Sequence, residues 1–442
     1  MVHAKIPETE YPRVVIIGGG FAGLELAKSL ENAPVQVVLI DKKNFHTFQP
    51  LLYQVGTAGL ETDSIIYPFR KVFEEQKNLY FRLAEVQQIK TETQIVETTI
   101  GLLHYNYLVI ATGAKTNYYG DEQLEKVAIP LKSIEDAIEL RNTVLSNFEK
   151  ALQIDDDEQL NSLMDYVIVG GGPTGVELAG ALSELRSHIF PKDYKELDFK
   201  QMDIHLIQSG DHLLKGMSEE ASKKALDYLQ KFGVQVWLDR KVKSYDGYTV
   251  TLDNGEKLIS RTLIWAAGVI GSPIEGIRKE SILRGNRLQV DTHNKVAGYN
   301  NIFAIGDIAA MITDTYPQGH PMMAQPAIQQ GKQLAKNLVN LIQNKPLQSF
   351  EYDDKGSMAT IGRNHAVADL KIFSSEFRTQ GFIAWIIWMF IHLISVIGFR
   401  NRFLVLVNWV WSYLSYDKSN RLIVGKQLEN LPVEAVIQKT EV

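Results

Sequence analysis

The sequence predicts an α/β protein built from two Rossmann-type halves, each suited to hold one dinucleotide. Two glycine-rich loops carry this prediction, GGGFAG at residues 18–23 and GGGPTG at residues 170–175. An apolar run typical of a buried strand enters each loop, and a helical pattern follows each one. One such loop alone would be a weak signal, but the strand, loop and helix occur twice in the order that a dinucleotide site requires.

The glycines of the first loop have separate predicted roles. Gly18 makes the tight turn, Gly20 lets the backbone approach a pyrophosphate, and Gly23 allows close packing of the helix. The phosphates are then expected at the N-terminus of that helix. The predicted phosphate-binding residues are Gly18, Gly20, Phe21, Ala22 and Gly23.

The second apolar strand of this half, residues 36–40, ends at Asp41 and Lys42. An acid at this position reaches a ribose hydroxyl, which suits the adenosine of either FAD or NAD. Two later runs, ending in Ala111-Thr112-Gly113 and in Gly306-Asp307, favour FAD because they resemble the marks of two-dinucleotide flavoproteins. That resemblance implies that Asp307 contacts the ribityl-phosphate region.

The segment AQPAIQQG at residues 324–331 predicts the start of a helix, because proline is tolerated in a first turn. Gln325 and Gln329 are four residues apart and therefore share one helix face. If the N-terminus of this helix points at a flavin, its partial positive charge favours the reduced anionic form. The alternative is a pair of exposed amides on an ordinary helix.

The second loop is left for the reductant, and a nicotinamide dinucleotide is its expected ligand. The predicted contacts are Gly170, Gly172, Pro173, Thr174 and Gly175, with Ala267 and Gly268 at the end of a later strand. Gln208 ends the second strand of this half, where NAD-binding units carry an acid. NADH is the expected reductant. NADPH is an open alternative, because glutamine does not repel a 2′-phosphate as an acid would.

Glu177 lies shortly after the second loop, in what the sequence predicts to be the first helical turn. A carboxylate there is favoured by the helix dipole, so it could serve only as a good helix start. The functional interpretation is a carboxylate near the nicotinamide-flavin junction. The residue pattern leaves both interpretations open.

Composition excludes several classes of function. The chain contains no cysteine, so it cannot pass electrons through a disulfide or hold an iron-sulfur cluster with thiolates. A net charge of −6 and a pI near 6.0 argue against a nucleic-acid partner.

The acidic run at residues 155–158 indicates a surface connection, and no metal site is predicted. The first residues lack a signal-peptide pattern, so a cytosolic protein is expected.

The C-terminal region is rich in apolar and aromatic residues. Residues 382–399 are almost wholly apolar, and a continuous helix of that length would rise about 27 Å against a hydrocarbon core of about 30 Å. Residues 403–416 have an amphipathic pattern, with tryptophans, Arg400 and Arg402 nearby. The region therefore predicts helices lying in a membrane interface. A core helix or dimer interface and a transmembrane span are the alternatives.

Together, the two loops, TFQPLLYQV at residues 47–55, Gly306-Asp307, AQPAIQQG and the tryptophan-rich tail resemble type II NADH:quinone oxidoreductases. This resemblance implies a single-subunit, non-proton-pumping respiratory flavoprotein with non-covalent FAD that reduces a membrane quinone. It also implies a homodimer attached monotopically to the bilayer, here on the cytoplasmic face of a bacterial inner membrane. The site residues implied are Gln325 and Gln329 at the quinone, Glu177 near nicotinamide and quinone, and Thr47, Gln49, Leu51 and Ala324 at the flavin.

The predicted domains are an FAD-binding domain at 8–120 and 272–350, an NAD(P)H-binding domain at 121–271 and a membrane-anchoring region at 351–442. Two other functions stay open. One is a reductase for a small electron-carrier protein, and the other is a flavin-bound sensor that controls membrane attachment or partners.

Overall fold

The structure is a computed structural model that describes residues 3–372, 375–418 and 420–425. Ser419 and residues 426–442, which belong to the predicted membrane-anchoring region, lie outside the described residues. The chain forms two compact units. The first comprises Met1–Thr47, Ile66–Asn117 and Gly268–Lys355, and the second comprises Phe48–Ile65, Tyr118–Ala267 and Gly356–Val442.

These units differ from the predicted domains in two respects. Residues 48–65, expected within the FAD-binding domain, pack with the second unit, and the C-terminal region packs there too. The helix Leu52–Gly56 explains the first difference. A Cβ on Gly56 would lie 2.9 Å from the side chain of Leu140, so this helix packs closely against Ile134–Ala151.

Each unit is built on a five-stranded parallel sheet with the same strand arrangement. A central strand leads into each glycine loop. Arg13–Ile17 lies between Tyr107–Ile110 and Gln36–Asp41, and Tyr166–Val169 lies between Thr262–Trp265 and Ile204–Ile207. Each loop thus leaves the carboxyl end of a central strand, the position at which doubly wound sheets bind ligands.

The first unit has two three-stranded sheets, two two-stranded ladders and three α-helices besides its parallel sheet, within the described residues. Its parallel strands are Ile302–Ala304, Tyr107–Ile110, Arg13–Ile17, Gln36–Asp41 and Leu79–Leu83. Its other strands are Phe45–Thr47, Ile66–Pro68, Val86–Lys90, Ile95–Thr98, Gly101–His104, Ala114–Thr116, Val269–Gly271, Ile282–Leu283, Arg287–Val290 and Ala309–Met311. Its α-helices are Phe21–Ser29, Phe69–Val72 and Ala324–Ile342, with 3₁₀ turns at Lys279–Ser281 and Gly306–Ile308.

The second unit adds two antiparallel sheets and most of the helices. Its parallel strands are Ile129–Pro130, Thr262–Trp265, Tyr166–Val169, Ile204–Ile207 and Val234–Trp237. Its other strands are Val242–Tyr245, Thr249–Leu252, Lys257–Ile259, Gly356–Gly362, His365–Ile372 and Ser375–Gln380. Its helices are Gln49–Leu51, Leu52–Gly56, Thr62–Ser64, Glu122–Val127, Ile134–Ala151, Asp157–Met164, Pro173–Glu184, Leu185–Ile189, Phe190–Asp193, Glu219–Lys231, Phe382–Ser395 and Phe399–Ser415.

The C-terminal sheet joins the helix that follows the second glycine loop. A Cβ on Gly180 would lie 1.8 Å from the carbonyl oxygen of Ile361, so the helix Pro173–Glu184 and the strand Gly356–Gly362 touch backbone to backbone. Only glycine allows this approach. The contact fixes the C-terminal sheet against the parallel sheet of its own unit.

The apolar residues 382–399 do not form one continuous helix. The tail forms two helices, Phe382–Ser395 and Phe399–Ser415, called here the tail helices. Gly398 separates them with a φ of 82°, a conformation that favours glycine. Among helices of the described residues, none is both long and apolar enough to cross a membrane.

Candidate functional site

The first glycine loop has the geometry expected of a phosphate cradle. A Cβ on Gly18 would lie 2.4 Å from the carbonyl oxygen of Ala111, and one on Gly23 would lie 1.9 Å from that of Gly18. A Cβ on Gly20, by contrast, would meet no atom within 4 Å. Gly20 also precedes the helix Phe21–Ser29, whose first turn includes Ala22. Open space before the N-terminus of a helix fits a dinucleotide pyrophosphate.

Asp41 closes this loop from the neighbouring strand. The N–H of Gly19 donates to its Oδ2 at 2.6 Å, and the N–H of Lys43 donates to Oδ1 at 2.8 Å. Burial raises the pKa of Asp41, while these two hydrogen bonds act in the opposite direction. The acid therefore holds the loop. Lys42 instead pairs with Glu85 at 2.5 Å.

His46 supports the same loop. Its Nδ1 lies 3.0 Å from the carbonyl oxygen of Gly19, which can only accept, so Nδ1 carries the hydrogen. Burial lowers the pKa of His46 to about 4, so the ring is neutral.

The two later marks of the flavin half also lie in the first unit. Thr112 Oγ1 donates to the carbonyl of Ser272 at 2.7 Å, and Gly113 follows it with a φ of 69°. The N–H of Gly306, which precedes Asp307, donates to Gln330 Oε1 at 2.7 Å. Sequence reasoning missed Gln330, although it adjoins Gln329 in the glutamine-rich motif.

Gln325 and Gln329 share a helix face, as the spacing predicts, and both contact the segment Asp353–Lys355. Gln329 Nε2 donates to the carbonyl of Asp353 at 2.9 Å, and the N–H of Asp353 donates back to Gln329 Oε1 at 3.0 Å. The N–H of Lys355 lies 3.4 Å from Gln325 Oε1. In the structure, both amides hold this segment through hydrogen bonds. Ala324 is the first residue of their helix.

The predicted flavin-packing stretch is divided between the units. Thr47 ends a strand of the first unit, whereas Gln49 and Leu51 belong to the second. Gln49 is exposed, but Leu51 has no accessible surface. Leu51 is a core residue in this structure, and its contact with the flavin stays a prediction.

The second glycine loop repeats the geometry of the first. A Cβ would lie 2.5 Å from the Ala266 carbonyl at Gly170 and 1.9 Å from the Gly170 carbonyl at Gly175, but it would meet nothing within 4 Å at Gly172. The predicted contacts beside the loop, Pro173, Thr174 and Gly268, are exposed, and Ala267 is half-buried.

Gln208 occupies the position that Asp41 has in the first unit. The N–H of Gly171 donates to Gln208 Oε1 at 2.9 Å, and Gln208 Nε2 donates to the carbonyl of His212 at 3.3 Å. The amide thus replaces the acid as the acceptor for the loop and adds a donor that an acid lacks. This explains how the loop tolerates a neutral side chain.

Glu177 lies in the second turn of its helix, because the helix begins at Pro173. Its interpretation as a first-turn carboxylate stabilised by the helix dipole is therefore wrong. The side chain is buried, and its Oε1 accepts hydrogen bonds from Trp388 Nε1 at 3.1 Å and from the N–H of Thr360 at 3.3 Å. Burial raises the pKa of Glu177 to about 8, against the opposing effect of these bonds.

Glu177 lines a partly open cavity whose described lining residues all belong to the second unit. Aromatic and apolar walls come from Tyr53, Trp385, Trp388, Met389, Trp409 and Tyr413. The polar lining includes Gln54, Glu184, Thr360, Arg363 and Lys418. Sequence reasoning assigned the tryptophans to a membrane interface, but Trp388 is buried and Trp409 Nε1 donates to Gln54 at 2.7 Å. The tail helices therefore form one wall of this cavity.

The outer faces of the tail helices are apolar and exposed. The exposed side chains are Phe382, Ile383, Ile386, Phe390, Ile394, Phe399, Phe403, Leu406, Val407, Val410, Trp411 and Leu414. Two polar side chains of the second tail helix, Asn401 and Asn408, face the protein instead. Asn401 donates to the carbonyl of Asp63 at 3.1 Å, and Asn408 donates to Glu61 at 3.3 Å. This orientation is the reverse of that of a surface helix in a water-soluble protein, whose apolar face packs on the core and whose polar face meets solvent.

Within the described residues, no group of three or more histidine, aspartate or glutamate side chains could hold a metal ion. The acidic run at residues 155–158 instead begins a helix. Asp156 caps Asp157–Met164 by accepting from the N–H of Gln159 at 2.9 Å.

Two dinucleotide loops on matching parallel sheets define a class of nicotinamide-dependent oxidoreductase. Residues 12–331 match the pyridine nucleotide-disulphide oxidoreductase family, although a chain without cysteine cannot perform disulphide chemistry. Residues 355–415 match the NDH2 C-terminal domain. The chain belongs to the type II NADH:quinone oxidoreductase family, whose members are flavin-dependent NADH dehydrogenases that do not pump protons. The resemblance seen in the sequence motifs is thereby confirmed.

Individual relatives agree with this assignment. The type II NADH:quinone oxidoreductase Ndh of Mycobacterium tuberculosis is 36% identical over 433 residues, which cover 94% of this chain and 91% of the relative. A mitochondrial internal alternative NAD(P)H-ubiquinone oxidoreductase of Arabidopsis thaliana is 29% identical, with coverages of 93% and 86%. The fold is similar to that of NDH2 from Plasmodium falciparum solved in complex with NADH, with a TM-score of 0.84, 22% identity and coverages of 94% and 100%.

Proposed function

We propose that this chain is a membrane-attached, FAD-dependent NADH:quinone oxidoreductase in which Glu177 supplies a proton to the quinone. The observation that carries this proposal is a buried acid, protonated near neutral pH, in the wall of an aromatic cavity formed by the tail helices. The overall reaction joins NADH, one proton and a quinone to give NAD⁺ and a quinol. The hydride of NADH supplies two electrons and one proton, and Glu177 relays the other proton.

FAD would bind the first unit without a covalent bond. The open backbone at Gly20, the helix Phe21–Ser29 and the acid Asp41 support a pyrophosphate and ribose site. Gln330 would keep Gly306 and Asp307 in position through the Gly306 N–H. When bound, the flavin would accept the hydride and pass its two electrons on. Gln325 and Gln329 support this site by holding the Asp353–Lys355 segment, so a direct contact with quinone remains a prediction for both.

NADH would bind the second loop at Gly172, with Pro173 and Thr174 exposed beside it. Gln208 orients the loop and carries no charge, which supports acceptance of NADPH as a slower substrate. Contacts of Ala267 and Gly268 with the nicotinamide, and of Glu177 with the same ring, remain predictions.

The quinone would occupy the Glu177 cavity, since an apolar head group suits walls of tryptophan and tyrosine. A protonated acid at the wall can donate to a quinone oxygen, and a pKa near the working pH allows it to be reprotonated from solvent. The general acid requires its proton at the pH of the reaction, and burial provides this condition.

The exposed apolar faces of the tail helices support monotopic attachment to a bilayer. Arg400 and Arg402 at the start of the second tail helix are exposed and would attract anionic lipid. The homodimer and the cytoplasmic face of a bacterial inner membrane remain predictions from the family. Analytical ultracentrifugation in detergent and protease accessibility in vesicles of both orientations would test them.

The proposed function is tested by anaerobic oxidation of NADH by the lipid-supplemented protein, with and without a short-chain quinone. NADH and flavin absorbance are followed together. The expected result is rapid bleaching of the flavin and sustained turnover that depends on quinone. Bleaching without quinone turnover would indicate a protein electron acceptor instead, and the absence of both would favour a sensor.

A further inference from the structure

The two oxygens of Glu177 have different surroundings. Oε1 accepts from the indole N–H of Trp388 at 3.1 Å and from the N–H of Thr360 at 3.3 Å. No hydrogen bond from the described residues reaches Oε2, and the side chain lines the cavity. Because an N–H must point at an unprotonated lone pair, both donors favour Oε1 as the acceptor. The proton of the neutral acid therefore resides on Oε2.

Trp388 is held firmly in the position from which it donates. The residue is only 2% exposed, and its indole stacks on the ring of His392 with centroids 4.1 Å apart and an interplanar angle of 22°. The Trp409 indole packs 5.6 Å away, and His392 Nδ1 lies 2.8 Å from the carbonyl oxygen of Trp388. Few other rotamers are open to a side chain packed in this way.

The same helix also carries the exposed apolar face. Ala384 and Trp388 are four residues apart and both are buried, whereas Phe390 and Ile394 on the other side are exposed. One turn of Phe382–Ser395 thus contacts Glu177 while its opposite side is available to lipid. The helix is both a surface element and a part of the cavity.

We propose that Trp388 is a positioning residue for quinone reduction, whose indole N–H holds Glu177 Oε1 so that Oε2 carries its proton into the cavity. This inference rests on the proposed role of Glu177. The Oε2–H bond of Glu177 breaks, and its proton forms a new O–H bond on a quinone oxygen. At the same time the quinone accepts electrons derived from NADH. The resulting carboxylate recovers a proton from solvent. Correct docking of the first tail helix then becomes a condition for proton delivery.

Other titratable groups face the cavity or adjoin the pair. Tyr53, Tyr413, Glu184, Arg363 and Lys418 line the cavity, and His392 stacks on Trp388. Burial raises the pKa of Tyr53 well above 10 and lowers that of His392 to about 4, so both stay neutral between pH 6 and 9. Burial also lowers the pKa of Lys418, while Glu184 acts in the opposite direction. A variant of Glu177 is therefore needed to assign any pH dependence.

The test compares Trp388→Phe with the matched control Trp409→Phe, which removes an indole N–H from the same cavity but leaves Glu177 untouched. The pH dependence of kcat with a short-chain quinone is measured for both. Loss of a bond that stabilises the carboxylate should move the alkaline fall in kcat upward by about one pH unit in Trp388→Phe only. The infrared C=O band of the protonated carboxyl should shift in frequency in the same variant.

Glu177→Gln separates this inference from the proposed function. If that variant keeps the alkaline fall in kcat, the proposed role of Glu177 is wrong. The role of Trp388 is overturned in two cases. In the first, Glu177→Gln abolishes the alkaline fall in kcat but Trp388→Phe leaves that fall at the wild-type pH. In the second, Trp409→Phe shifts the fall as far as Trp388→Phe does.

A spectroscopic experiment covers the case in which Trp388→Phe does not fold. Wild-type protein labelled with 5-fluorotryptophan should show one ¹⁹F resonance that titrates near pH 8, and this titration should be lost in Glu177→Gln. A set of resonances that is independent of pH in the wild type would contradict the inference.

Discussion

The indole nitrogen of Trp388 lies 3.1 Å from a carboxylate oxygen of Glu177, although the two residues are 211 positions apart in the chain. The contact joins the helix after the second glycine loop to the first tail helix. A respiratory enzyme needs an apolar acceptor and a proton in one place, and this pair brings the acid to the wall that the tail helices build.

The stability of the folded protein should depend on pH through Glu177. Burial raises the pKa of this acid from 4.5 to about 8, so the folded protein keeps a proton that the unfolded chain has lost. Stability therefore falls as the pH rises through this window, by up to a few kcal/mol. Thermal unfolding between pH 5 and 8.5 should show a steeper decline for the wild type than for Glu177→Gln. Equal slopes would contradict a buried, protonated Glu177.

Gln208→Glu should increase the preference for NADH over NADPH. The substitution loses the donor to the His212 carbonyl and adds a negative charge beside the Gly171 N–H. Repulsion of a 2′-phosphate should lower the relative kcat/KM for NADPH about tenfold, the factor that corresponds to 1.4 kcal/mol. Gln235→Glu, which adds the same charge to an exposed position on the adjacent strand, is the control. An unchanged ratio in Gln208→Glu would remove this residue from cofactor selection.

Gly172, just before the helix Pro173–Glu184, and Gly180, within it, should respond differently to replacement by alanine. At Gly180 the new methyl would meet the Ile361 carbonyl at 1.8 Å, so Gly180→Ala should destabilise the protein by about 3 kcal/mol through overpacking. At Gly172 nothing lies within 4 Å, so Gly172→Ala should fold normally and raise the KM for NADH. Thermal unfolding and steady-state kinetics are measured on both. A stable Gly180→Ala or a kinetically silent Gly172→Ala would count against the respective role.

Phe390→Glu combined with Phe403→Glu should weaken binding to anionic vesicles by about tenfold or more, since both side chains are exposed on the tail helices. Point substitutions are better than removal of the tail, because removal would also delete Trp388 and the cavity wall. Leu83→Glu, at an exposed apolar residue of the first unit, is the control for charge. Cosedimentation that is equal for both variants would argue against attachment through the tail helices.

Local patterns predicted the parts of the fold that depend on neighbouring residues. The roles of Gly18, Gly23, Gly170 and Gly175 follow from strand-loop-helix order, and the structure shows the close backbone approaches that they permit. The start of the helix Ala324–Ile342 and the shared face of Gln325 and Gln329 were likewise predicted from local spacing.

Long-range packing explains what the sequence could not predict. Glu177 acquires its partner from a helix 211 residues away, so neither its bond nor its burial could be inferred from its own helix. The two tail segments were predicted at residues 382–399 and 403–416, but the structure ends the first helix at Ser395 and begins the second at Phe399, after Gly398 in a left-handed conformation. Leu51 was assigned to the flavin by motif, but only the packing of residues 48–65 shows that it is enclosed.

The central claim, that Glu177 serves quinone reduction rather than NADH oxidation, is tested by measuring the two half-reactions separately in Glu177→Gln. Rapid mixing with NADH alone reports bleaching of the flavin, and mixing the reduced enzyme with a short-chain quinone reports its reoxidation. Glu177→Gln should bleach at the wild-type rate but reoxidise about 100-fold more slowly, the loss typical of a missing general acid. Slower bleaching with normal reoxidation would assign Glu177 to NADH oxidation and contradict its proposed role in delivering a proton to the quinone.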